Sequence, residues 1–290
     1  MITLKNNTPQ MLSKLCLSQK GLTYGKFLSI LKKKDIKVNG QKTNKDIMLS
    51  EGDDVLIYGF VEVNQRPPEE TIYEDENIII INKPKGIQVK KSDVKDNKLS
   101  VEDYYNAKCV HRLDRNTSGL LILAKNDKTL EEFKLAFENH RIEKYYRALC
   151  YGKFTYDSDI LKGYLKKDSV TGLSVISSKP TPDSVPVITE YKAIKEYGGV
   201  TLIEVKLVTG KTHQIRAHMK SIHHSIVGDT KYQCKEYAGI NKKNEKFIKN
   251  QCLVAYKLVM HFDKNSYLGY LDNKTFVIDD GLEKIFNKQN

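Results

Sequence analysis

Residues 111–119 read HRLDRNTSG, with one carboxylate, Asp114, between Arg112 and Arg115 and close to His111. Such a set suits a calcium loop, a structural ion pair or a reactive carboxylate facing a polyanion. Asp114, Asn116, Ser118 and Gly119 match the opening of a calcium loop. That loop closes on a bidentate Glu, and the residue in that place is Lys125; a cation does not ligate a cation. VTGKTHQ, at 208–214, offers the Gly-Lys-Thr of a phosphate loop, but the glycine needed earlier in that motif is Val205, in a β-branched run. His213 and His218, five apart, and the adjacent His223-His224 lack the spacing of a zinc helix, and no Glu-Cys set completes a site. These histidines are expected to be structural or RNA-facing, and no metal is expected.

The reactive carboxylate remains. Buried among apolar strands, an unpaired carboxyl takes a proton, whereas a neighbouring guanidinium keeps it charged. THQIRAH supplies Arg216, which shares a helical face with His213 and could reach Asp114 from another element. On the residues alone, an ordinary buried ion pair is the stronger of the two readings.

The elements that would position these groups are legible. IIII at 78–81 predicts a buried strand ended by Lys83-Pro84 and Gly86, and LLILA at 120–124 predicts another. Apolar residues 130, 133 and 137 mark a helix in NDKTLEEFKLAFENHR. KYYRALCYG alternates as a strand, with Tyr146, Ala148 and Cys150 on one face. Residues 189–208 read as a hairpin turning at Gly198-Gly199, THQIRAHMKSI reads as a helix, and 241–250 reads as a basic surface loop. Strands and helices mix without a βαβ period, which predicts an α+β fold.

Upstream, VNQRPPEE reads as a linker at 63–70, between a small domain, 1–62, and a large one, 71–290. GLTYGKFLSILKKK predicts a helix with Leu22, Phe27, Leu28 and Leu31 apolar and Thr23 as N-cap. IKVNGQK predicts a strand turning at Asn39-Gly40, and LSEGDDVLIYG a second turn and strand. Residues 20–45 hold eight lysines, among them Lys26, Lys32, Lys33, Lys34, Lys37 and Lys42, against the single acid Asp35. A unit so charged can lie along a phosphate backbone.

The whole chain has 290 residues and a formal net charge of +12, which points to an acidic partner. At 40% hydrophobic it can pack a core. No apolar run is long enough to span a bilayer, and MITLKNNTPQ lacks the apolar stretch of a secretion signal. The five scattered cysteines suit reduced thiols in a cytosol. A cytoplasmic monomer without membrane contact is the expectation.

HRLDRNTSGLLILAK resembles the signature of the RluA-type pseudouridine synthases. YEDENIIIINKPKG, FENHRIEKYYRALCYG and EVKLVTGKTHQIRAHMKSIHHSIVGDTKY are similar to that family's further segments, in the same order, over roughly 71–262. The small domain resembles the αL RNA-binding domain first named from a ribosomal protein, though QMLSKLCLSQ lacks the family's early Arg-x-Asp. The resemblance implies an RNA pseudouridine synthase whose catalytic domain is built on a mixed, largely antiparallel sheet with flanking helices. It implies that Asp114 is the essential carboxylate, that Arg112 enters the RNA stack beside an extruded base, and that Tyr146 stacks on the uracil. Arg216 would hold Asp114, Leu207 would pack beneath the base, and His111, Lys211, His213 and Gln214 would complete the substrate site. Lys211 stands where the family often has Arg, which keeps a phosphate contact but not a bidentate one, and Val254 stands where it often has His. The chemistry oxidises nothing, so no cofactor is expected. Large-subunit ribosomal RNA is the implied substrate, with transfer RNA next; the alternative class is an RNA-binding assembly factor without turnover.

Overall fold

The computed structural model describes residues 2–19, 22, 24–58, 70–90, 100–105, 107–244 and 246–287. The expected linker therefore lies outside the described residues except for Glu70, and so does the expected cap Thr23. The chain divides into two compact units, 1–68 with 90–108, and 69–89 with 109–290.

In the first unit, Asn39 and Gly40 both take positive φ, 48° and 81°, as a two-residue hairpin turn requires. They join strands Ile36–Val38 and Gln41–Thr43. Asn39 donates to Asp53 Oδ1 at 2.8 Å and accepts from the Asp54 N–H at 2.9 Å, which ties the turn to strand Asp54–Ile57. Strand Ile2–Lys5 completes this antiparallel sheet. A first helix, Leu12–Leu17, forms without a cap of its own, because Asp46 accepts the Ser13 N–H at 2.8 Å. Helix Tyr24–Lys32 buries Phe27, Ile30 and Leu31. Leu28, expected on that stripe, is 44% exposed, since a face set by i, i+3 and i+4 from Phe27 leaves the next residue outside it.

The second unit is a large sheet. Its strands are β1 (Glu70–Glu74), β2 (Ile78–Lys83), β3 (Ser118–Ala124), β4 (Ile142–Tyr151), β5 (Ser158–Lys167), β6 (Ser174–Ser177), β7 (Val185–Tyr197), β8 (Val200–Leu207), β9 (Leu253–Met260) and β10 (Thr275–Val277). They lie in the order β6-β5-β7-β8-β4-β9-β3-β2-β1, with β10 on β9. Among the described pairings of these strands, only β3 with β9 is parallel. Helix α1 (Asp127–Glu138) is capped by Asn126, which accepts the Thr129 N–H at 2.8 Å. Its buried face is Thr129, Phe133 and Ala136, with Leu130 and Phe137 at the margin. Phe133 packs with Ile78, Ile80, Leu120 and Ile122 of β2 and β3. Tyr146, Ala148 and Cys150 are buried as expected, but so are Leu149 and Tyr151, because β4 is central and covered on both faces.

Helix α2 (Gln214–Ser221) follows β8 through the VTGKTH loop. The expected basic loop at 241–250 is helical at its start, within Ala238–Asn244. Asn241 there is buried, accepting from Tyr151 Oη at 3.0 Å and from the Gly228 N–H at 2.9 Å. Those polar partners come from distant strands and loops, so local charge gave no sign of them.

Candidate active site

Asp114 sits in the turn before β3, where the Thr117 N–H donates to its carbonyl at 3.1 Å. The turn is anchored from below. Lys83, fully buried at the end of β2, donates to the carbonyls of Pro84, Ile87 and Arg115 at 2.8, 3.0 and 3.2 Å. Arg115 Nε donates to the Gly86 carbonyl at 2.9 Å. Arg115 thus serves the loop, whereas Arg112 is exposed at the pocket edge. Gly119 lets β3 approach β9; a Cβ there would lie 2.2 Å from the Ala255 carbonyl oxygen.

Arg216 projects from α2 and donates from Nη1 to Asp114 Oδ2 at 3.0 Å. Its other edge grips Asp229, Nε to Oδ2 at 2.6 Å and Nη2 to Oδ1 at 2.9 Å. Asp229 is 1% exposed, and its Oδ1 also accepts the N–H groups of Lys231 and Tyr232. Burial works against the Arg216 charge, but Asp229 and then Asp114 raise its pKa further. The guanidinium also lies over the Tyr232 ring, 4.6 Å from its centroid. Asp229 and Tyr232 were not singled out from the sequence; the GDTKY segment that holds them gave no local pattern of a carboxylate needing a cation.

His213 begins α2 in a left-handed conformation, φ 59°. Its Nε2 lies 3.8 Å from Asp114 Oδ2, and its Nδ1 2.9 Å from Tyr232 Oη. Tyr232 Oη also accepts the Ser174 N–H at 2.7 Å, so the ring is held between Tyr232 and Asp114. Burial lowers the His213 pKa against the pull of Asp114, so the ring is neutral at pH 7.

Asp114, His213 and Arg216 line a pocket of about 420 Å³, with Asp229 and Tyr232 behind Arg216 and outside the lining. Tyr146 and Leu207 line it as well, with Ile142, Leu253 and Phe137. Burial, then the Asp114 charge, raises the Tyr146 phenol far above its ordinary pKa; the ring is a neutral, mostly apolar plate. His111 lines the pocket but acts as a support, its Nε2 accepting the Ile122 N–H of β3 at 3.1 Å. Burial, then the Lys144 charge, holds it down to about 3. Gln214 also serves the loop: it donates to the Ile188 carbonyl and Thr189 Oγ1 and accepts from the Lys211 N–H and Thr209 Oγ1. Lys211 reaches the pocket from an exposed position. The arrangement can stack a flat base against Tyr146 and present it to one charge-paired carboxylate.

A family model described as RNA pseudouridylate synthase matches residues 77–221, half of the chain. The chain belongs to the RNA pseudouridylate synthase family. It is 34% identical over 238 residues to the ribosomal large subunit pseudouridine synthase C of Rickettsia bellii, covering 73% of this chain and 78% of that one. It is also 34% identical over 209 residues to an uncharacterized RNA pseudouridine synthase of Mycoplasma genitalium, covering 65% and 62%. The structure of human RNA pseudouridylate synthase domain containing 1 superposes with a TM-score of 0.57 at 20% identity, over 78% of this chain and 98% of that one; it shows the fold. The enzyme is thus an isomerase acting on RNA, on the mixed, largely antiparallel sheet that the motifs implied.

Elsewhere, the expectation that no Glu-Cys set joins the histidines is corrected: ligand atoms of His223, Cys234 and Glu236 lie within 4.8 Å of one another. Chain folding brings them together across 13 positions, a spacing no metal motif marks. None of the three lines the Asp114 pocket. Among the described residues, no helix is long and apolar enough to cross a membrane.

Proposed function

We propose that the enzyme converts uridines of large-subunit ribosomal RNA to pseudouridine, with Asp114 as the carboxylate that acts on an extruded uridine. The observation that carries this is the 3.0 Å pairing of Asp114 with Arg216 on the wall of a pocket that Tyr146 also lines. The N1–C1′ bond breaks, the uracil turns while held against Tyr146 and Leu207, and C5 bonds to C1′. N1 gains a proton and C5 loses one, so the base is isomerised with no net change in atoms. Extruding the base costs a few kcal/mol of stacking and pairing; Arg112, exposed at the pocket edge, fills the gap in the stack. The names of the Rickettsia and Vibrio relatives support the ribosomal substrate.

The first unit adds RNA affinity as an αL-type domain, with a linker near 63–70 leading to the catalytic domain. Lys32, Lys33, Lys34 and Lys42 are exposed there, and Lys37 lies over the Tyr58 ring at 5.4 Å. Lys26 belongs to the same helix, with its side chain outside the described residues.

The test maps pseudouridine by carbodiimide-stop sequencing of total RNA from cells with and without the gene, then repeats it with Asp114→Asn. Loss of one or a few large-subunit signals, unrestored by the variant, is expected. Loss confined to transfer RNA would overturn the substrate. No loss, with no activity of the purified protein, would overturn the enzymatic role in favour of RNA binding alone.

A further inference from the structure

Lys144 is the cation of the pocket that this chemistry leaves unused. It lies on β4 two residues before Tyr146, so both side chains leave the same face of the strand, with Cα atoms about 7 Å apart. Both line the pocket. Among the described residues, no carboxylate lies within ion-pair distance of the ammonium, although Glu138 and Asp114 line the same pocket. Its Nζ lies 5.1 Å from the Phe137 ring centroid, and a Cβ on Gly210 would come within 3.0 Å of it. Among the described residues the Lys144 side chain has no hydrogen bond or ion pair. Lys206, on neighbouring β8, differs: it has the Glu143 carboxylate at 2.8 Å.

Burial lowers the pKa of Lys144, with no charge opposing the shift. An ammonium withdrawn from water without a partner is costly, and the cost is recovered if a ligand brings the anion. Exposed Glu138 and His140 are among the residues that line the pocket, so it opens to solvent. An RNA strand carries one phosphodiester per nucleotide past such an opening.

We propose that Lys144 Nζ binds a phosphodiester of the RNA adjoining the extruded uridine, in the gap between Phe137 and Gly210. The proposal rests on the uridine reading of the pocket. Tyr146 takes the base and Lys144 the backbone one sugar away, so the strand face itself spaces the two contacts. A side chain at Gly210 would press on the ammonium, which lies 3.0 Å from the position of a Cβ there. A backbone phosphate carries the same charge in the ground state and the transition state, so this contact binds without accelerating the chemistry.

The probe is an unmodified large-subunit rRNA transcript carrying [5-³H]uridine, whose tritium is released on turnover. Lys144→Met should raise KM about tenfold, as for a lost charge-assisted hydrogen bond, with kcat changed by less than about twofold. The slope of log affinity against log salt should fall in magnitude by about 1. All five native cysteines are buried, so Lys144→Cys can be alkylated selectively with 2-bromoethylamine; the restored ammonium should recover KM. This pair also serves if Lys144→Met does not fold. A fall in kcat at constant KM would overturn the proposal and place Lys144 at the reacting atoms. Unchanged KM and unchanged salt slope would overturn it as well. If wild type releases no tritium from this transcript or from transfer RNA, the uridine reading fails. Filter binding of the same transcript then decides the phosphate contact alone: a lower salt slope for Lys144→Met upholds it, and an equal slope overturns it.

Discussion

Removing Arg216 tests the site and the fold together. Its guanidinium is shared, one hydrogen bond to Asp114 and two to Asp229. The Asp229 side chain is 1% exposed and that of Asp114 18%, so Asp229 suffers more when the cation goes. Deleting one partner of a buried pair typically costs about 3–5 kcal/mol, because the other charge stays buried and uncompensated. For a unit of this size, that lowers Tm by roughly 6–20 °C. Arg216→Met should therefore be strongly destabilised. Arg216→Met/Asp229→Asn should regain at least about half of the loss, since neutral replacement of a buried pair is often tolerated. The amide oxygen of the replacement asparagine would still accept the N–H groups of Lys231 and Tyr232, which Asp229 Oδ1 accepts at 2.9 and 3.0 Å. Catalysis should not return with stability. Both variants lack the donor at Asp114, and a lost preorganised donor costs about a hundredfold in kcat. Calorimetry of the three proteins and tritium release from labelled RNA measure the two effects. A double variant no more stable than Arg216→Met would refute the account of Asp229. A double variant with wild-type kcat would refute the role given to Arg216.

Further outcomes follow from the same structure. His111 and His218 are held at about 3 and about 4 by burial, below the ordinary 6.5. Between those limits the unfolded chain takes up protons that the folded one does not, so stability falls as pH drops, by about 1.4 kcal/mol per pH unit for each histidine. Urea unfolding of His218→Gln between about pH 6 and 4.5 should show a slope shallower by that amount; an unaltered slope would contradict a neutral buried His218. Gly119→Ala would press a methyl onto the Ala255 carbonyl 2.2 Å away and should destabilise by about 1–3 kcal/mol or more; an unchanged melting temperature would show that β3 and β9 can part cheaply. Replacing Lys32, Lys33 and Lys34 with Gln should lower the salt slope of RNA binding by up to about 3, and filter binding with an unchanged slope would remove that face from the interface.

Local chemistry was legible in the sequence. Asp114 stood out because a carboxylate among arginines has few uses, and its neighbours excluded calcium. Asn39-Gly40 and Gly198-Gly199 marked their hairpins because positive φ at both turn residues is a local demand. IIII, LLILA and KYYRALCYG marked strands by composition and alternation. What stayed hidden depends on groups brought together from far along the chain. Arg216 reaches Asp114 across 102 positions, and its pairing with Asp229 follows from the fold of the loop after α2. The left-handed His213, the loop-binding Gln214 and the supporting His111 acquire their roles from partners on β7, β3 and the 229–232 turn. Lys144 was legible only as the lysine two residues before Tyr146 in a segment similar to the family's, with no role of its own. Only the tertiary structure withholds a carboxylate from it, because among the described residues no acidic side chain comes within ion-pair distance of the ammonium between Phe137 and Gly210. The sequence by itself determined which residue types could do the chemistry, since bond-making groups are intrinsic to side chains. The tertiary structure decided which of them share a pocket, which are paired and which stay unpaired, since burial and distance belong to the fold.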